Sequence, residues 1–246
     1  MYDVAGYHRP NSLADALRLL AADDRVALGG GVHLRHDASG HRVDLVDLQA
    51  AGLDDIDGDG STVSIGATVA LQTVADDERA PELVRHAARS EQPSTLRTLA
   101  TIGGAIATAS DDSVLLAALL VHDAVVRVAS HERDERSAAL PELLASCLGG
   151  GELIVDVTLA TSGTTSWAQT GRTPRDRPIV GVAGRRRAGS DGDVTTLAVC
   201  GLGTTPQLVE PDAVASLPAI DDHRATATYR LHLAETLAAR VMEDVG

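Results

Sequence analysis

The stretch Val26-Ala27-Leu28-Gly29-Gly30-Gly31-Val32-His33-Leu34 reads as a short apolar strand that feeds directly into a glycine turn. About seventy residues later a second glycine signal, Thr101-Ile102-Gly103-Gly104-Ala105-Ile106-Ala107-Thr108-Ala109-Ser110, lies between segments of helical character. No side chain shields the N–H groups of a glycine turn, so an anion can approach them closely. Two such turns in one chain suggest a pyrophosphate. Neither matches the spacing of the dinucleotide fingerprint or of a P-loop, so spacing alone also admits two plain turns.

Outward from these turns the order is mixed. Leu13, Ala16, Leu17 and Leu20 recur at helical spacing behind Ser12 and Asp15, which are placed as a capping box, so a helix begins near Ser12. Val43 to Leu48 and Val63 to Ala67 read as strands, Leu71 to Val74 and Pro81 to Ala88 as helices. Val114 to Leu120 is an apolar helix, Ala124 to Ala129 a strand and Ala138 to Ala145 a helix. Gly149-Gly150-Gly151 then marks the expected domain boundary, with residues 1–150 before it, subdivided near residue 55, and 151–246 after it. Leu153 to Leu159, Ile179 to Arg186 and Thr195 to Leu202 are expected to form three strands of the second part, and two helices close the chain. The last, Ala225 to Val241, is expected to turn Tyr229, Leu233, Leu237 and Val241 to one face.

The chain has 246 residues, 44% hydrophobic and 23% charged, which is the mix of a folded globular protein with a sizeable core. It has no Phe, one Trp and three Tyr, so that core is built from Ala, Val, Leu and Ile. A formal net charge of −14 disfavours phosphate backbones and anionic lipid surfaces, which argues against nucleic acid as a partner. No apolar run approaches a membrane span and no leader is recognisable, which leads us to expect no membrane insertion and a cytoplasmic location. Cys147 and Cys200 are far apart and match no cluster or zinc spacing; both are expected to be buried small hydrophobes. His33, His36 and His41 form a loose triplet better read as a turn with exposed imidazoles than as a metal site, and Arg185-Arg186-Arg187 as a solvated strand end. Thr101 differs, because its hydroxyl in a glycine turn can reach a phosphate.

Tyr7, Pro10, Ser12, Leu13, Ala16 and Leu17, the turn Leu28 to Leu34, Val46-Asp47-Leu48, Ile65-Gly66-Ala67 and Leu96-Arg97 follow one another in a fixed order. Thr101-Ile102-Gly103-Gly104, Asp123-Ala124, Glu152-Leu153-Ile154, Asp176 with Ile179-Val180, and Tyr229-Arg230 continue it. In that order they resemble the FAD-binding subunit of the molybdenum hydroxylases, the family of xanthine dehydrogenase and carbon monoxide dehydrogenase. The resemblance spans nearly the whole chain. It implies an α+β fold: two N-terminal α/β subdomains of the PCMH-type FAD-binding fold, then a small C-terminal domain with a three-stranded antiparallel sheet and helices.

The resemblance also implies a site. Gly29, Gly30, Gly31, Val32, His33 and Leu34 would form one wall of an FAD pyrophosphate site, and Thr101, Ile102, Gly103, Gly104 and Ala105 the other, with Thr108, Ser110, Asp112 and Leu153 completing it. No catalytic residue or metal ligand is expected, because the cofactor carries the chemistry. Electrons would arrive from [2Fe-2S] clusters on a partner, leave to NAD or another acceptor, and originate at a molybdenum cofactor on a third subunit. Several family side chains are replaced: Val32 stands for the usual Thr, His33 for the usual acid, Ala105 for Asn or Ser, and Val114 for an acid that Asp112 could substitute. Each lost hydrogen bond costs roughly 0.5 to 1.5 kcal/mol. These departures keep a second reading open, a degenerate paralogue that retains the fold as a structural or assembly subunit without flavin.

Overall fold

The computed structural model describes residues 3–32, 34, 42–171, 176–190 and 192–246. Its first layer is a parallel sheet in which β3 (Arg42–Asp47) lies between β1 (Asp3–His8) and β2 (Arg25–Leu28). Helix α1 (Leu13–Leu20) makes the first crossover; it starts at the expected Ser12, whose Oγ accepts the Asp15 N–H at 3.1 Å, and it buries Ala16 and Leu20. β2 is an edge strand. Asp44 N–H donates to Asp24 O at 2.9 Å, so the parallel alternation turns the Val26 and Leu28 backbone toward β3 and the N–H and C=O of Ala27 away from it.

The second layer is an antiparallel sheet of β4 (Ile56–Gly58), β5 (Thr62–Gly66), β6 (Val125–Ala129), β7 (Arg136–Ala139) and β8 (Leu153–Ala160), in the order β4-β5-β8-β6-β7. Between β5 and β6 the chain runs through α2 (Leu71–Asp76), α3 (Glu82–Glu91), α4 (Ser94–Arg97), α5 (Ile102–Thr108) and α6 (Val114–Val121); α7 (Leu140–Ser146) joins β7 to β8. Helix α6, Val-Leu-Leu-Ala-Ala-Leu-Leu-Val, is apolar all round and every residue of it is buried, as that composition requires. Its N-terminus is satisfied twice: Ser113 Oγ accepts the Leu116 N–H and Glu91 Oε2 accepts the Leu115 N–H, each at 3.1 Å.

The third layer is an antiparallel sheet of β9 (Thr164–Thr170), β10 (Val180–Gly189), β11 (Gly192–Cys200) and β12 (Gln207–Val209), with α8 (Ala227–Val245) packed on β9 and β10 and α6 on β10 and β11. The mixed α and β architecture is as expected, but the three-stranded C-terminal sheet needs correction. It has four strands, and the strand expected to open it, β8, instead lies between β5 and β6 in the second sheet. The polar β9 and the three-residue β12 carry too little apolar alternation to be read as strands, yet pairing to a strongly apolar neighbour is enough to order them. Gly181 and Gly184 let α8 and Trp167 close on this sheet: a Cβ on Gly184 would lie 2.3 Å from Val241 Cγ1, and one on Gly181 2.4 Å from the Trp167 ring.

Three smaller expectations also change. Tyr229 is 47% exposed, and α8 instead buries Arg230, whose Nη1 donates to the Ile179 and Gly201 carbonyls and whose Nη2 pairs with Asp222. Arg185 is not solvated. It is buried, with Nε donating to Ser162 O at 2.7 Å and Nη1 to Val121 O and Asp123 Oδ2 at 2.9 and 2.7 Å, which ties β10 to the end of α6. Cys200 is buried as expected, whereas Cys147 is exposed at the end of α7. No helix among the described residues is long and apolar enough to cross a membrane.

Candidate functional site

The first glycine turn emerges from the free edge of β2 and the second forms the cap and first turn of α5, and the fold presses the two together. A Cβ on Gly30 would fall 1.5 Å from the Leu99 carbonyl oxygen, and one on Gly29 2.9 Å from Thr101 Oγ1. Only glycine allows that approach. Gly31 has φ of +72°, the left-handed conformation that favours glycine.

The two turns are not equivalent donors. In the second, Ile102 N–H donates to Val69 O and Gly103 N–H to Ala67 O, both at 3.0 Å, and Gly104 N–H donates to Thr101 Oγ1 at 3.1 Å. Its amides are spent on the protein. In the first, the N–H groups of Gly29, Gly30, Gly31 and Val32 find no acceptor among the described residues. The expectation that both turns offer free amides therefore holds for the first turn alone. Because Thr101 Oγ1 serves as the N-cap acceptor, its hydroxyl hydrogen remains to donate outward.

An open cleft of about 310 Å³ lies over these groups, within the usual range of small-molecule sites. Gly29, Gly30, Gly31, Val32, Leu34, Thr101, Gly104 and Thr108 line it, and none of the described residues lining it is charged. In a chain of net charge −14 this leaves a patch where an anion meets N–H donors with no carboxylate among the described lining residues. An apolar lobe of about 120 Å³ adjoins it, sharing Ala27, Gly29, Thr101, Gly104 and Ala107 and adding Gly103, Leu48, Leu148 and Leu153.

The other expected residues fall elsewhere. Ile102 and Ala105 are on the buried face of α5 and line neither space. Ser110 and Asp112 lie past the end of α5 in an ionic cluster, and His33 lies outside the described residues, as do His36 and His41. In that cluster Arg177 bridges Asp112 and Glu91, the latter at 2.8 Å, and Arg224 donates to Asp112 Oδ2 at 2.9 Å. Burial opposes ionisation of Asp112, but the charge of Arg177 and hydrogen bonds from Arg177, Ser110 and Arg224 outweigh it and hold the carboxyl below its usual range. The cluster joins α3 and α6 to the C-terminal segment. Nothing in composition signals it, because its members are more than a hundred positions apart in sequence at the extreme.

Residues 2–160 match the family described as FAD binding domain in molybdopterin dehydrogenase. The chain belongs to this family. Among curated relatives of the family member, the Escherichia coli K12 protein YgfM is 36% identical over 123 residues, covering 48% of this chain and 47% of YgfM. The putative xanthine dehydrogenase FAD-binding subunit XdhB of the same organism is 31% identical over 143 residues, covering 53% of this chain and 48% of XdhB. These matches thus span about half the length of each relative. Among solved structures, a Cu,Mo-CO dehydrogenase chain superposes with a TM-score of 0.84 at 21% identity, covering 100% of this chain and 98% of the other. A chain of the Hydrogenophaga pseudoflava carbon monoxide dehydrogenase gives 0.86 at 19%, with coverages of 100% and 98%. Quinoline 2-oxidoreductase from Pseudomonas putida 86 gives 0.82 at 19%, with 98% and 96%. At such identities the superpositions establish the shared fold.

Proposed function

We propose that the chain binds FAD in the cleft between the two glycine turns and serves as the electron-transfer subunit of a multi-subunit molybdenum hydroxylase of the xanthine or carbon monoxide dehydrogenase type. The observation that carries this reading is the row of N–H groups from Gly29 to Val32, unspent among the described residues, facing a cleft whose described lining carries no charged side chain. That donor set fits a pyrophosphate, since oriented amides present fixed partial positive charge to phosphate oxygens. Thr101 would add its hydroxyl, and Leu48, Leu148 and Leu153 would keep water from the apolar part of the ligand. Bound FAD supplies reversible two-electron carriage in single-electron steps; the chain's own residues hold and orient it and need no acid, base or nucleophile.

On this reading the partners are an iron–sulfur subunit with [2Fe-2S] clusters and a subunit with the molybdenum cofactor, NAD is a candidate acceptor, and the complex works in the cytoplasm. For the chain itself we propose an FAD-binding part and a C-terminal flavoprotein part. The expected division at 150/151 is better drawn after Ala160, because β8 completes the second sheet.

The test uses Ala107, an exposed residue of α5 that lines both spaces. FAD titrated into the purified chain should be bound, with its fluorescence quenched. Ala107→Asp should weaken binding at least tenfold through repulsion of the ligand's phosphates, while Ala107→Lys should not weaken it, with both unfolding near the parent's midpoint. A chain that stays colourless after FAD is added would favour the assembly-subunit reading, which the spent amides of the second turn support.

A further inference from the structure

A second cleft of about 310 Å³ lies at the other end of β2, walled by the end of α1, the β6–β7 turn and the Gly150–Glu152 segment. It shares no lining residue with the glycine cleft and only Glu152 with the apolar lobe. Its polar groups are mostly unspent. The Arg133 guanidinium makes no hydrogen bond or ion pair among the described residues, and the N–H groups of Gly150 and Gly151 find no acceptor there. Arg25 is anchored by Nη1 donating to Leu19 O at 3.0 Å, while its Nε is buried without a partner. The same cleft holds the carboxylates of Asp23 and Glu132, neither of them paired among the described residues. Glu152 is already committed, to Arg136 at 2.9 Å and to Gly149 N–H at 2.8 Å.

A cleft that offers both guanidinium and amide donors and unpaired carboxylates is satisfied by a ligand that joins an anion to hydroxyl groups. Guanidinium is suited to phosphate oxygens, and a carboxylate accepts from ribose hydroxyls. We infer that this cleft is a second binding site, separate from the flavin cleft, for a nucleoside 5′-phosphate: Arg133, Arg25 and the Gly150–Gly151 amides take the phosphate, and Asp23 and Glu132 take the ribose.

The experiment is calorimetric titration of AMP into the chain, before and after loading with FAD. One AMP should bind per chain in both states, with inorganic phosphate and adenosine each at least tenfold weaker. Arg133→Ala, in an exposed turn where its side chain holds nothing, should lower AMP affinity at least tenfold without moving the unfolding midpoint. Absence of AMP binding, or no change in Arg133→Ala, would overturn the inference. So would loss of AMP binding once FAD is present, because the cleft would then be an extension of the flavin site. If the chain takes no FAD at all, the unloaded titration and the Arg133→Ala comparison still decide this site, independently of the proposed function.

Discussion

Gly30 sits against the Leu99 carbonyl so closely that a Cβ would fall 1.5 Å from its oxygen, so this glycine is required by contact between two segments of backbone rather than by any ligand. Backbone cannot swing aside as a flexible side chain can. Gly30→Ala should therefore destabilise the chain by about 3 kcal/mol, the upper end of overpacking costs. Gly150, around which no atom lies within 4 Å of an added Cβ, should accept Ala within about 0.5 kcal/mol. Denaturant midpoints of the two variants check the contrast, and equal shifts would refute it.

Thr101 acts on two levels. Its Oγ1 caps α5 by accepting the Gly104 N–H, and its hydroxyl hydrogen is free to donate into the cleft. Thr101→Val should lose about 1 kcal/mol of stability and also FAD affinity, whereas Thr101→Ser should keep most of both. Stability and FAD titrations on the same two proteins separate the roles.

His122 is buried, with Nδ1–H donating to Ala160 O at 2.8 Å and Nε2 unpartnered. Burial, helped by the nearby Arg185 charge, pushes its pKa down to about 4 even though the Ala160 hydrogen bond and Asp123 pull the other way. The unfolded chain, with an ordinary histidine pKa near 6.5, binds the proton more readily. Stability should thus be complete above about pH 6.5 and fall as the pH drops toward 4, by on the order of 3 kcal/mol from this group. His122→Gln should flatten that part of the profile in chemical denaturation.

Arg177 neutralises Asp112 and Glu91 at a place where helices α3 and α6 meet the C-terminal segment. Removing it leaves Glu91 buried without a cationic partner, while Asp112 keeps only Arg224. Arg177→Met should cost about 3 kcal/mol, and adding Glu91→Gln to it should recover part of the loss, because the uncompensated charge and not the missing contact dominates. A double-mutant cycle on midpoints tests the sign of that coupling.

The parts of this fold that could be read from the chain are those where local chemistry decides. Ser12 marks the start of α1, the run Val114 to Leu120 declares a buried helix, and the first glycine turn follows its strand, whereas the second, expected between helices, opens helix α5. The strands that escaped, β1, β4, β7, β9 and β12, are short or polar and are ordered by their neighbours. β8 shows the limit most clearly: its strand character is plain in Leu153 to Ala160, but nothing local says that its partners are β5 and β6 rather than β10. The site has the same limit. Gly29 to Val32 and Thr101 are legible as candidates and line one cleft, yet which turn keeps its amides free depends on Val69 and Ala67, whose carbonyls meet Ile102 and Gly103 only in the folded chain. Asp112, readable as a replacement acid for the cofactor, is instead held by Arg177 and Arg224, a placement set by distant sequence.

The asymmetry between the turns can be tested at individual amides by recording nitrogen–proton correlation spectra of the labelled chain as FAD is added. The amide protons of Gly29, Gly30, Gly31 and Val32 should move downfield as they acquire a phosphate acceptor, while those of Ile102, Gly103 and Gly104 should stay nearly fixed because Val69, Ala67 and Thr101 already hold them. Large shifts confined to residues 102–104, or no shift at the first turn when FAD is bound, would contradict the assignment of Gly29 to Val32 as the phosphate cradle.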